Sequence, residues 1–409
     1  MSGPAFRFLH SGDWLLHEVC HGLAEVPDPL RELLIDAPFQ AAQRVFDIAV
    51  AEQVNFLVLT GDILHPLEAG PRGISFLMQQ FERLQQQEIA VYWVGGRADP
   101  PERWPTGATL PDNVTLFPKG RVEEVAHYVG EEAVATLVGR SWSGKARVEP
   151  AEFVTEHTGS GGFRIAIVHG DAVADSLAPY PVNYWALGGQ RRRNSLYEHS
   201  EHVAHYAGSP QGRSPLDIDA HGCTLVQVDG DRQMHLQHLV TDVLRWRLEK
   251  IPVPESAGRK EIERKLRERG QQLATESGDR PVMVSWRFQS QGRMAAALGH
   301  GGIARELRQS LNQTLGVGSP AVWTVEIDVP VIGELPPYWY EEDTILGDFL
   351  RAVRRFQTED HVLRLQEFVG RRDVDVALQE LLQVSEASQR DEVLREVALL
   401  GTELLRGDG

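Results

Sequence analysis

The side chains in this sequence that could do chemistry are carboxylates and imidazoles placed at the ends of short apolar runs. FLHSGDWLL (8–16), VLTGDILH (58–65), VGGRADP (94–100), IAIVHGD (165–171) and YWALGGQRRRN (184–194) occur in that order, followed by YAGSPQGRS (206–214). Each of the first five ends in a small cluster of Gly, Asp or His, which places Asp13, Asp62, Asp99 and His169 at strand ends. Such runs describe buried strands that deliver polar residues to one rim of a sheet. Two other clusters have the composition of a metal site. His17, Cys20 and His21 have the spacing of zinc ligands on one helical turn, and His199, His202 and His205 stand beside Glu198 and Glu201. Neither set has a matching second half, and histidines in exposed loops are common. Arg191, Arg192 and Arg193 could contact phosphate, and a solvated loop tip accounts for the triplet equally well.

In order and wording these segments resemble the calcineurin-like metallophosphoesterases, and most closely the SbcD-type DNA repair exonucleases. That family carries Asp-x-His, Gly-Asp, Gly-Asn-His-Asp, a lone His and Gly-His-x-His at these places. The resemblance implies that Asp13, Asp62 and His169 are remnants of a metal site, with Asp62 matching the bridging carboxylate and Asp99 the residue that orients the family's catalytic His. Leu15, Arg97, Ala98, Gly189 and Arg191 stand where the family has His, Asn, His, His and His. Two divalent ions need on the order of eight protein donors, and three donors divided between two sites hold neither ion adequately. The resemblance therefore implies the fold, while the replacements imply a degenerate site, no bound cofactor and no confident catalytic residue. Mn or Mg enters only if a reduced or displaced site is still active. His17 and His65 lie beside lost ligand positions, but their offset points them elsewhere.

The replacements predict a further feature. Stripped of ions, Asp13, Asp62 and Asp99 would repel one another, and a guanidinium pairs carboxylates well. Arg97 and Arg191 are therefore expected to pair with those acids in place of the ions, against the alternative that both drift into solvent. With Arg192 and Arg193 they are also the candidate phosphate-binding residues.

The elements that must position these residues alternate in the first part of the chain. Strands at 6–10, 55–60 and 89–94 alternate with helices at 38–53 and 73–88. Shorter strands follow at 114–117, 133–139, 164–170 and 183–188. The expected fold class is α/β: a two-sheet phosphoesterase sandwich flanked by helices over residues 1–240. Residues 241–332 alternate strand and helix (strands 244–253, 282–288 and 321–329; helices 259–276 and 302–314), which describes a small α/β capping domain. GELPPYW (333–339) reads as a linker, and the rest of 333–409 as a helical tail, with helices at 345–357, 361–370, 374–384 and 391–406. By the resemblance, this tail is a candidate docking segment for an SMC-like coiled-coil ATPase.

Composition bounds the function. The 409 residues are 42% hydrophobic and 24% charged, as in a soluble globular protein of two or three domains. No run of about eighteen apolar residues is present, so no membrane span is expected. The start of the chain has neither a basic leader nor an apolar signal core, and Cys20 and Cys223 are the only cysteines, which fits a cytoplasmic protein. The net charge of −17 argues against indiscriminate coating of nucleic acid and leaves room for a local basic groove. Three functions stand open: an inactive SbcD-like binding or scaffold subunit that works on DNA with an SMC-like ATPase; an active metal-dependent exonuclease or phosphoesterase; and a phosphate or small-anion sensor. The ligand count favours the first, which is not an enzyme, and a homodimer is compatible with each.

Overall fold

The computed structural model describes residues 4–23, 25, 28–155, 162–252, 254, 257–289, 302–328, 335, 337–358, 363–364, 383–384 and 387–406. In chain order the opening elements are β1 (Phe6–Ser11), α1 (Arg31–Ala51), β2 (Phe56–Leu59), α2 (Pro66–Gln85), β3 (Ala90–Val94) and β4 (Val114–Phe117). Then come β5 (Glu123–Val129), β6 (Glu132–Arg140), β7 (Arg164–His169), α3 (Ala174–Leu177), β8 (Tyr184–Gly188), β9 (Asn194–Glu198), β10 (Val203–Tyr206), β11 (Gly222–Val228) and β12 (Met234–Val240). These strands build two six-stranded sheets, in the orders β12-β11-β1-β2-β3-β4 and β5-β6-β7-β8-β10-β9. β1 to β4 run parallel, as do β6, β7, β8 and β10, so the loops that leave their C-terminal ends gather along one edge of each sheet.

Period-two alternation makes the sandwich. Phe6 and Phe8 of β1, Phe56 and Val58 of β2, and Tyr92 and Val94 of β3 meet Ile165 and Ile167 of β7 and Tyr184 and Ala186 of β8 in one buried cluster. The alternate residues of the first sheet, Leu9, Leu57, Leu59, Val91 and Trp93, pack under α1 and α2 with Val45, Phe46, Leu77 and Phe81. Those of the second sheet, Ala166, Val168, Trp185 and Leu187, pack with Phe153, Leu177 and Tyr206. The mixed α/β architecture of two sheets flanked by helices is the expected fold class.

The helices start earlier than their sequence signals suggest. Pro38 lies inside α1 rather than at its first turn, because Leu34 and Ala37 upstream are themselves buried. α2 begins at Pro66 and changes direction at Gly70, whose φ of 59° is not helical. The edge strands β5 and β9, half polar along their length, carry too weak an apolar pattern to be read from sequence.

By its own contacts the chain divides into two compact units. The first comprises Met1–Glu249, Arg264–Trp286 and Arg308–Glu326; the second comprises Lys250–Glu263, Arg287–Leu307 and Ile327–Gly409. Beyond β12 the elements are β13 (Arg245–Pro252), α4 (Arg259–Glu276), β14 (Val282–Gln289), α5 (Gly302–Thr314) and β15 (Val322–Asp328), with the three strands in one sheet. Within the first unit Trp246, Met283, Ala321 and Val325 join Cys20, Leu30, Leu34 and Ala37 in a shared cluster. In the second unit α6 (Ile345–Thr358) packs Leu346, Leu350 and Val353 against Leu394 and Ala398 of α7 (Ala387–Arg406). The expected helices at 361–370 and 374–384 are corrected where they are described: Leu363–Arg364 pairs antiparallel with Gln383–Val384 as strand. The other residues of those two stretches lie outside the described residues. No described helix is long and apolar enough to cross a membrane.

Candidate functional site

Asp13 and Asp62, in the loops after β1 and β2, meet His169, the last residue of β7, at one point. Each offers a ligand atom, and these atoms lie within 4.8 Å of one another, the one such group of three or more found among the described residues. The backbone that aims them is unusual. Asp13 and Asp62 have φ of 54° and 53°, in the left-handed region that side chains other than glycine seldom adopt. Leu15, at a replaced ligand position, shares it with φ of 45°. Cross-bonds hold these turns: the N–H of Asp13 donates to the Gly61 carbonyl at 2.9 Å, and that of Leu15 to the Asp62 carbonyl at 2.8 Å. Local strain held this firmly is typical of sites rather than of loops free to relax.

His169 is set for coordination. Its Nδ1–H donates to the Thr60 carbonyl at 2.9 Å, which leaves the Nε2 lone pair facing the pocket. Nε2 is buried, lies 3.4 Å from Asp62 Oδ2 and has no hydrogen-bond partner. An orphaned imidazole nitrogen between two carboxylates fits one divalent cation. The donors do not fit two, since Leu15, Ala98 and Gly189 offer no side-chain lone pair and Arg191 is a cation.

The carboxylates are held by backbone. Gly189 N–H lies 3.0 Å from both oxygens of Asp13, and Ala98 N–H donates to Asp62 Oδ1 at 2.8 Å. Two replaced ligand positions thus contribute main-chain donors. Gly189 has φ of 103°, a conformation that a histidine would strain to adopt. Burial pushes the Asp13 carboxyl up to about 6; the Asp62 charge adds to this, while His169 and the Gly189 N–H oppose it.

Asp99 does not face the three donors. It accepts from Gly96 N–H (2.7 Å), Asp62 N–H (2.8 Å), Ile63 N–H (3.0 Å) and the Trp93 indole (3.2 Å). It ties the β3 loop to the β2 loop and so positions Asp62. Burial raises its pKa, the Asp62 charge adds to that, and the N–H groups of Ile63 and Gly96 hold it down.

The arginines do not replace the ions, which corrects the expectation for Arg97 and Arg191. Arg191 donates to Glu18 Oε2 at 3.0 Å and lies 3.6 Å from Asp217, acting on Asp13 only as a distant charge. Arg97 is exposed, its guanidinium 5.8 Å from the centre of the Trp142 ring. Arg192 bonds the Leu216 carbonyl at 3.3 Å, and Arg192 and Arg193 are both exposed. The backbone N–H groups satisfy the acids that the guanidinium groups were expected to reach.

The remaining clusters separate. His17 Nδ1 accepts from the His65 N–H at 2.9 Å, and His65 Nδ1 accepts from the Glu68 N–H at 3.3 Å as the cap of α2. Each ring then carries its proton on Nε2, which disfavours both as displaced ligands. Cys20 is buried, its thiol pushed up to about 12 by burial, while His21 is exposed. His199 stacks on Tyr197 and His202 reaches the Val182 carbonyl. His205 is buried between Ser195 and Thr224. Trp14, Trp93 and Trp185 are buried in the core. The contributions of the Thr60 carbonyl and the N–H groups of 98 and 189 carry no side-chain signal in the sequence, although the TGD wording marks the turn that presents Thr60.

No family model matches this chain. Over 263 residues it is 28% identical to a protein of Bacillus subtilis (strain 168) described as an uncharacterized metallophosphoesterase, YhaO, a stretch that covers 61% of this chain and 64% of that protein. The chain therefore spans less than two thirds of the length of the relative it matches. Together with the two-sheet architecture, this similarity supports the calcineurin-like metallophosphoesterase superfamily.

Proposed function

We infer that this chain is an SbcD-like homologue that holds DNA without cutting it, a scaffold subunit working with an SMC-like coiled-coil ATPase. The donor inventory carries the reading. One cation can be held by Asp13, Asp62 and His169, whereas a second would need side-chain donors that Leu15, Ala98, Gly189 and Arg191 do not offer. A bound ion would supply a Lewis-acid contact to a phosphate oxygen. Around it the Thr60 carbonyl fixes the His169 tautomer, and the N–H groups of Ala98 and Gly189 orient the carboxylates. Ala98 has no proton to give a leaving group, and absence of a positioned general acid typically removes about two to four orders of magnitude of rate. The amphipathic helices α6 and α7 support a docking role for the tail, and residues 241–332 are read with it as a capping domain. Two free cysteines, both buried, fit a cytoplasmic setting.

The test is metal content together with Mn²⁺-dependent nuclease activity on linear DNA. DNA binding without cleavage, with at most one ion per chain, is the expected result. Robust turnover that disappears in an Asp62→Ala variant would overturn it. The orphaned Nε2 of His169 favours one other reading, a phosphoesterase that works with a single ion. Hydrolysis of a phosphodiester model substrate that saturates at one equivalent of Mn²⁺ would select that reading.

A further inference from the structure

Beneath the pocket lies a buried histidine that is not one of the three donors. His10, the last residue but one of β1, is fully buried, and its ring packs edge-on against Tyr184 of β8 and His205 of β10. Its Nδ1 lies 2.9 Å from the Tyr184 hydroxyl and its Nε2 lies 3.3 Å from Thr60 Oγ1. The Thr60 hydroxyl itself donates to the Ser11 carbonyl at 3.3 Å. One assignment gives every hydrogen an acceptor: the Tyr184 O–H donates to Nδ1, and the His10 Nε2–H donates to Thr60 Oγ1. The opposite tautomer leaves the Tyr184 hydrogen without an acceptor among these groups. Burial pushes the His10 ring down to about 3, so it stays neutral and keeps both bonds.

Thr60 is the residue that His10 and His169 share. Its carbonyl accepts from His169 Nδ1–H at 2.9 Å, and its own N–H donates to the Ser11 carbonyl at 3.0 Å. The residue that follows is Gly61, with φ of 87°. A peptide next to a glycine turns at little steric cost, so the direction of the Thr60 carbonyl depends on what holds Thr60. Neighbouring glycines clear the space for both of its oxygens: a Cβ at Gly12 would overlap Oγ1, and one at Gly188 would overlap the carbonyl oxygen. The contacts run from His10 Nε2–H to Thr60 Oγ1, and from the Thr60 carbonyl to His169 Nδ1–H. They end on the buried His169 Nε2, which has no hydrogen-bond partner.

We propose that His10 is a positioning residue for the cation site: by holding Thr60 it keeps the Thr60 carbonyl on His169 Nδ1–H, which leaves the Nε2 lone pair of His169 to the ion. The inference rests on the reading that Asp13, Asp62 and His169 hold one cation, and it adds a residue whose hydrogen bonds reach none of those three. The bond made at one ring nitrogen of a histidine decides which nitrogen is offered to a metal. Packing alone gives no reason for an imidazole here. An apolar ring would fill the space beside Tyr184 and His205 without taking two ring nitrogens out of water.

Heteronuclear NMR of the metal-free full chain, isotope-labelled at its histidine nitrogens, reads the tautomer directly, with His169→Gln identifying the signal. Wild-type His169 should carry its proton on Nδ1. In His10→Leu the two tautomers should mix, and Mn²⁺ affinity measured by equilibrium dialysis should fall by about 10-fold, the lower end of the range for losing a partner behind a metal ligand. Thr60→Val removes Oγ1 and keeps the branched shape, and it should do the same, so the test does not hinge on how well His10→Leu folds. The double variant should weaken binding no further, because both changes break one connection. His10→Gln, whose amide N–H stands in for Nε2–H, should restore the Nδ1–H tautomer and most of the affinity. Mixed tautomers in the wild type, or an undisturbed Nδ1–H tautomer in both His10→Leu and Thr60→Val, would refute the positioning role and leave the one-cation reading standing. A wild type that holds no Mn²⁺, with a tautomer that still follows His10, would overturn the one-cation reading and leave the hold of His10 on His169 in place.

Discussion

Removing the Asp99 carboxylate should damage this protein far more than removing the charge of Arg97 two residues earlier. Asp99→Ala leaves four donors without an acceptor, and three of them, Gly96 N, Ile63 N and Trp93 Nε1, belong to buried residues. A buried donor left unpaired costs about 1–3 kcal/mol, so the sum is about 3–6 kcal/mol even near the low end. That is a large share of the roughly 5–15 kcal/mol by which domains are stable. Asp99→Asn separates charge from acceptor count. Its one carbonyl oxygen can serve two of the donors, but its NH₂ then faces the other two, and a loss of about 2–4 kcal/mol is expected. Arg97→Ala removes an exposed side chain with no acid partner and should stay within about 0.5 kcal/mol of wild type. Urea unfolding followed by circular dichroism measures all three. An Asp99→Ala variant within about 1 kcal/mol of wild type would refute the reasoning. Arg97→Ala as damaging as Asp99→Ala would restore the idea that arginine stands in for the ions.

Burial lowers His10 to about 3 and His205 to about 2, so both are neutral in the fold and bind protons once unfolded. Their stabilisation is present above the unfolded value near 6.5 and is lost as pH falls toward the folded values, about 2 kcal/mol for each by pH 5. His10→Gln should therefore close its stability gap to wild type by about that amount between pH 7 and pH 5; no change in the gap would show that His10 protonates within the fold. Equilibrium dialysis against Mn²⁺ should find no more than one ion per chain, lost in His169→Ala, and two well-bound ions would contradict the donor inventory. At Gly61, with φ of 87°, an added Cβ would lie 2.6 Å from Gly96 N and 3.0 Å from His169 Nδ1. Gly61→Ala should cost about 2–4 kcal/mol and weaken cation binding, and a melting temperature equal to wild type would show that the turn can open.

Much of this architecture is legible in the chain because side-chain identity and spacing act locally. Alternation in Phe6, Phe8, Phe56 and Val58 marks strands with two buried faces, and the helices at 259–276 and 302–314 coincide with their sequence signals. The loss of donors at Leu15, Ala98 and Gly189 is equally plain, since whether a residue carries a lone pair is a property of its type alone. Tertiary structure decided where the survivors point. Asp13, Asp62 and His169 are separated by dozens of residues and meet only because parallel strands bring their C-terminal ends together and left-handed turns aim the carboxylates inward. The partners of those carboxylates were also decided there. A guanidinium goes where its long side chain finds the best contact, so Arg191 meets Glu18 and Arg97 lies over Trp142. The amides of Ala98 and Gly189 have no such freedom: the paths of the loops after β3 and β8 set them against Asp62 and Asp13, in a relation that no side chain in the sequence announces.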